Sequence, residues 1–193
     1  MMSLRPKGFG VLMLACGDNV EILGIYEHDA KLLSNRATEF WSHIALTSIE
    51  VIEYLEKYRP QVLYLVARFD TVGTLCGVSG ASVRLGYIMK RAEQMGVRLF
   101  IIAVENDLEH LRNNIINSDS MNIMFITKRN RHYDVFMKAL IERMSISHKF
   151  ASAYVDLAPQ HGTAQVGRPL PGSLAICPAE TGKGIVLWSE PQE

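Results

Sequence analysis

The sequence predicts an α/β protein, a three-layer structure built on a mostly parallel open sheet. Three observations predict it. Residues 62–67 and 97–104 are apolar runs rich in β-branched and aromatic side chains, and neither alternates polar with apolar. A strand apolar on both sides needs cover on both faces, which is the habit of interior parallel strands. Between them, residues 81–95 repeat apolar side chains at helical spacing: Val83, Tyr87, Ile88, Ala92 and Met95 oppose Arg84, Lys90, Arg91, Glu93 and Gln94. Strand, glycine-spaced linker, helix and strand make a right-handed βαβ crossover.

The remaining elements follow in order. Residues 9–15 form a buried-strand candidate, closed by the turn signal Cys16-Gly17-Asp18-Asn19. The short apolar run 20–26 then predicts a hairpin partner for that strand. Over residues 28–47, Leu32, Leu33, Ala37, Phe40, Trp41 and Ile44 recur at roughly helical spacing. Thr47-Ser48-x-Glu50 reads as a capping box before a helix over 51–58, with Ile49, Ile52 and Leu55 as its buried stripe and Pro60 as its stop. Ser79 or Ser82 caps the helix over 81–95, and Gly96 fits its C′ position. Further on come a helix over 107–116, a strand over 121–127, a basic loop at Lys128, Arg129 and Arg131, and a helix over 133–144. Alternation of this kind predicts an open, doubly wound Rossmannoid sheet with helices on both faces.

Composition changes near residue 149. Five of the seven prolines, Pro159, Pro169, Pro171, Pro178 and Pro191, lie beyond it, interleaved with glycines. The expected division is a Rossmann-like domain over 1–148 and a partly ordered extension over 149–193, with short strands where residues 153–157, 174–176 and 185–188 turn apolar. The exposed aliphatic pieces of that extension are the expected contact for a protein partner or a second copy of the chain.

With 20 basic and 20 acidic residues the net charge is zero, which argues against a chain built mainly to hold nucleic acid or an anionic membrane. Three cysteines without metal-ligand spacing predict a reducing, cytoplasmic setting. No apolar run is long enough to span a bilayer, and residues 1–8 lack the small-residue cleavage site of a signal peptide.

Open parallel sheets bind ligands beyond the C-terminal ends of their strands. That rule selects the segment 73–82, where Gly73, Gly77, Ser79, Gly80 and Ser82 offer backbone amides and hydroxyls to a small anionic or nucleotide ligand, with Arg68 nearby in sequence. It is neither a P-loop, since no lysine and serine or threonine pair stands in place, nor the dinucleotide fingerprint, which follows its strand at once. No motif names a cofactor. Asp18, Asp70 and Asp107 are the candidates for a hard-cation site. Asp18, Asp70, Cys16 and Cys76 are the catalytic candidates, Cys76 because a nearby helix start would lower its pKa. Two functions therefore stand open: a non-enzymatic regulatory or binding module, and a hydrolase or transferase acting on a phosphorylated or nucleotide substrate through Asp18, Asp70 and Asp107.

Residues 53–66, with Arg59-Pro60 ahead of the strand, and residues 97–108 resemble the caspase-like fold of self-associating peptidase domains. In that family the first strand ends in histidine-glycine and the second in alanine-cysteine. The matching places here are Arg68-Phe69 and Ala103-Val104, so the resemblance, which covers under half of the chain, implies a non-catalytic relative. The strand order is also similar to that of flavodoxin-like response-regulator receivers. There Gly17-Asp18, Asp70 and Thr127-Lys128 would stand at the acidic pair, the phosphoacceptor and the closing lysine.

Overall fold

In the computed structural model the described residues are 9–104, 121–126, 133–147, 150, 173–177 and 185–188. Five parallel strands form the centre: β1 (Gly10–Cys16), β2 (Glu39–Ala45), β3 (Val62–Val66), β4 (Leu99–Ile102) and β5 (Asn122–Ile126). Their order across the sheet is β2-β1-β3-β4-β5. The pairing that fixes the architecture is β3 with β4, parallel, Leu63 opposite Phe100 and Leu65 opposite Ile102. Beyond β5 the backbone of β6 (Ser173–Cys177) pairs antiparallel with β5, and β7 (Ile185–Trp188) antiparallel with β6.

Four helices are described: α1 (Val20–Leu33), α2 (Ser48–Tyr58), α3 (Leu85–Gln94) and α4 (Tyr133–Ser147). Chain direction and crossover handedness decide which face each covers. From β1 the chain steps one way to β2, then doubles back past β1 to β3 and on to β4. Right-handed crossovers running in opposite directions must lie on opposite faces. Accordingly, Met13, Tyr64, Val66 and Ile101 pack with Ile22 and Leu33 of α1 and Phe136 and Leu140 of α4. On the other face Leu14, Leu63, Leu65 and Phe100 pack with Val51 and Leu55 of α2 and Leu85, Ile88 and Ala92 of α3. β1, β3 and β4 are buried along their whole length, as a doubly covered parallel sheet requires.

Four expectations are corrected. The apolar run 20–26 is not a hairpin strand but the start of α1, capped by Asn19, whose side chain accepts from the amides of Glu21 and Ile22. The helical spacing over 37–44 conceals β2, which pairs with β1 from Gly10 opposite Glu39 to Cys16 opposite Ala45. The capping box of α2 forms as expected: Thr47 Oγ1 accepts from the Glu50 amide, and Glu50 reaches back to the Thr47 amide, each at 3.2 Å. Arg59, left-handed at φ 43°, ends that helix ahead of Pro60. The α2 stripe that is buried, however, is Ser48, Val51 and Leu55, while Ile49 stays 61% exposed. α3 starts later than expected. Its N-cap is Arg84, extended and without a side-chain cap, because residues 83–85 pair with 73–75 instead: Leu75 N–H donates to Val83 O and Leu85 N–H to Gly73 O.

The helix expected over 107–116, the strand expected over 153–157 and the basic loop at 128–132 lie outside the described residues. No described helix is long and apolar enough to cross a membrane.

Candidate functional site

In the order 2-1-3-4-5, the usual ligand crevice opens where the chain reverses direction, between the C-terminal ends of β1 and β3. Here the chain's own glycine-spaced segment lies across that place. Gly77 rests on the Cys16–Gly17 turn, so closely that a Cβ on Gly17 would stand 2.5 Å from Gly77 O. Cys76 N–H donates to Arg68 O at the end of β3. On the other side Ser79 joins the β2–α2 junction: its amide donates to Leu46 O, its carbonyl accepts from Ser48 N–H, and its hydroxyl reaches Leu46 O at 3.3 Å.

The candidate residues fall as follows. Asp70 is committed to its own turn, where Oδ1 accepts from the amides of Val72 and Thr74 at 3.0 and 2.8 Å. Arg68 pairs with Glu21 of α1 at 2.5 Å. Asp18 is exposed just beyond β1, and Asp107 lies outside the described residues. The amides of Gly73, Thr74, Leu75, Cys76 and Ser79 donate to protein oxygens. Among the described residues, those of Gly77, Gly80 and Ser82 have no protein acceptor. At the places where the resemblance to peptidase domains would put a base and a nucleophile stand the ion-paired Arg68 and the buried Val104.

Neither described cysteine has an activated thiol. Cys76 is exposed, yet its pKa is raised, by partial desolvation first and the Asp70 charge second, against an opposing pull from Arg68. This corrects the expectation of a helix start lowering it, since α3 begins nine residues further on. Cys16 is buried on the α2–α3 face, and burial pushes its thiol from 9.0 up to about 12. The folded chain therefore holds a proton that the unfolded chain releases. Stability is unaffected by this group below pH 9 and falls as pH rises towards 12, by about 1.4 kcal/mol per pH unit. Urea unfolding at stepped alkaline pH is expected to show that slope, and Cys16→Ala to flatten it.

Among the described residues an open cavity lies elsewhere, between α2 and the residues leading into α3. It encloses about 650 Å³, within the range of small-ligand pockets. Ile49, Ile52, Val83 and Tyr87 make its apolar wall, and Glu53, Ser82 and Arg84 are among its polar groups. Tyr87, expected to face the core, is 52% exposed here. Ser48, also in the lining, keeps a buried hydroxyl with no hydrogen-bond partner, close enough to the glycine-rich segment that a Cβ on Gly80 would meet it at 3.3 Å. Glu56 is paired with Arg91 of α3, whereas Arg84 has no ion pair among the described residues. Sequence reasoning missed this cavity. The available signal was the surplus of apolar side chains on α2, more than one core-facing stripe can use.

On the opposite face, His28, Asp29 and Asp134 bring ligand atoms within 4.8 Å of one another. His28 Nε2 and Asp134 Oδ2 hydrogen-bond to each other at 2.9 Å, and the buried Asp29 accepts from Tyr64 Oη at 2.6 Å. Asp18 and Asp70 are not part of this group.

Fold and cavity together define an α/β Rossmann-like protein whose strand-end crevice is covered by its own chain and which has an open cavity between two of its described helices. No protein-family model matches the chain, and no curated protein does.

Proposed function

We infer that the chain is a non-enzymatic regulatory or binding module whose ligand enters the α2–α3 cavity. The observation that supports this most is the contrast between two places. At the strand ends, Asp70 and Arg68 are engaged within the protein. Between the helices there is an open, mostly apolar cavity with a few polar groups at its margin. Ala81 and Ser82, the end of the glycine-rich segment and its continuation, form one lip of it, so the hydroxyl and free amide of Ser82 act together with Arg84 on an anionic group. The ligand class is an amphipathic anion with an apolar body. The alternative, a hydrolase or transferase of phosphorylated or nucleotide substrates, needs Asp18, Asp70 and Asp107 gathered around one substrate, and Asp70 is already bound up in its turn.

Anilinonaphthalene sulfonate, an aromatic anion, is the probe. Saturable binding to the folded chain is expected, weakened about tenfold by Arg84→Ala, since an anion-pairing hydrogen bond contributes about 1.5–3 kcal/mol, and abolished by Ile52→Glu. Binding indifferent to both substitutions overturns this reading. So does turnover of p-nitrophenyl phosphate that disappears in Asp70→Asn.

A further inference from the structure

The sheet ends at β2, and among the described residues no strand or loop pairs with its outer edge. Glu39 N–H donates to Phe9 O and Ala45 O accepts from Gly17 N–H, so the odd-numbered residues of β2 turn their backbone groups toward β1. Backbone groups alternate along a strand, so those of Phe40, Ser42 and Ile44 point away from the sheet. None of the three has a backbone partner on that side among the described residues. Natural edge strands are usually protected by proline, lysine, a bulge or brevity. β2 has seven residues and none of those residue types, its single charge stands at its first position, Glu39, and Ile44 is 41% exposed.

We propose that the β2 edge is a homodimer interface, in which β2 pairs antiparallel with β2 of a second copy about a twofold axis at Ser42. The self-complementarity of the strand favours a second copy over an unrelated partner. With Ser42 opposite its own counterpart, Phe40 faces Ile44 and Trp41 faces His43 on both sides of the axis, and Glu39 meets Ala45 rather than another charge. Aromatic and β-branched pairs of this kind stabilise antiparallel neighbours. The register places Phe40, Ser42 and Ile44 in the hydrogen-bonded positions, so their outward groups form about six main-chain hydrogen bonds. Trp41 and His43 already belong to a stack on the α2 face. Trp41 lies 4.9 Å from Tyr58, and His43 lies 4.4 Å from Tyr54, between ring centroids. Pairing extends that stack across the axis. An isologous contact of this form closes on itself, so it gives a dimer and not a fibre.

The test uses the full chain in sedimentation equilibrium across the micromolar range. A dimer is expected. Ser42→Pro removes an outward N–H and no bond to β1, and Ile44→Lys places a charge on the edge. Each is expected to raise the dissociation constant about tenfold or more while leaving circular dichroism and the melting transition intact. In a background lacking Cys76 and Cys177, Ser42→Cys stands about 5.5 Å from its counterpart, Cα to Cα, and crosslinks on oxidation, whereas Ile44→Cys does not. A monomer at every concentration overturns the proposal and leaves the edge to a strand from another protein. A dimer that survives Ile44→Lys unweakened, or that crosslinks equally through either cysteine, also overturns it.

Discussion

Gly17→Ala is expected to destabilise the protein by about 3–5 kcal/mol, the sum of left-handed strain on a residue with a Cβ and of overpacking against a rigid neighbour. Gly17 sits at φ +96°, and the atom that its Cβ would meet, 2.5 Å away, is the carbonyl oxygen of Gly77. Neither side can yield cheaply. Gly17 N–H is held by Ala45 O at 2.8 Å, and the segment bearing Gly77 is tied by Cys76 to Arg68 O and by Ser79 to Leu46 O. Relief would require the whole segment to lift from the ends of β1 and β3. Gly96→Ala is the matched control, with φ +91° and nothing within 4 Å of the new Cβ. It bears the backbone cost alone, about 1 kcal/mol. Urea midpoints for the two variants, at unchanged m, separate strain from collision. Equal losses would mean that the glycine-rich segment is not seated on the turn.

What the sequence made legible was the centre of the sheet, and the reason is burial on both sides. Residues 62–66 and 99–102 have no polar face to disguise them, and a capping box and a C′ glycine bracket α2 and α3. The edge was harder. β2 is only partly buried, and Ser42 and His43 interrupt the run, so Phe40, Trp41 and Ile44 mimic a helical repeat. The run from Val20 misled for the opposite reason: a few consecutive apolar residues fit either element, and in α1 the first of them, Val20, is 87% exposed. The site was less legible still. Long glycine-spaced linkers suggest open amides, but whether such amides face a ligand or the protein depends on where the linker docks. Here Ser79 meets Leu46 and Ser48, some thirty residues away in sequence. Nothing local marks Asp29 either, since Tyr64 and Tyr133, which surround it, come from β3 and α4.

That buried trio carries the second large effect. Tyr64→Phe is expected to cost about 2–3 kcal/mol, the range for a buried hydrogen bond to a carboxylate whose acceptor stays behind. Tyr64 Oη donates to Asp29 Oδ2 at 2.6 Å and lies in hydrogen-bond contact with Tyr133 Oη, and Asp29 and Tyr64 are fully buried. Removing the hydroxyl changes little volume, so packing loss is a minor part of the cost. The deficit falls on a carboxylate without access to water, in a medium where a missing partner is felt strongly. Contact and coincidence are separated by a double-mutant cycle. If the bond holds Asp29 in place, Tyr64→Phe combined with Asp29→Leu loses less than the sum of the two single losses, by about 1–3 kcal/mol. Additive losses would place the stabilising partners of Asp29 elsewhere. A positive coupling would instead tie α1 to β3 through one hydrogen bond, and, through Tyr133, to the first turn of α4, so the two helices on that face would be anchored to the sheet by a polar group as well as by the apolar core.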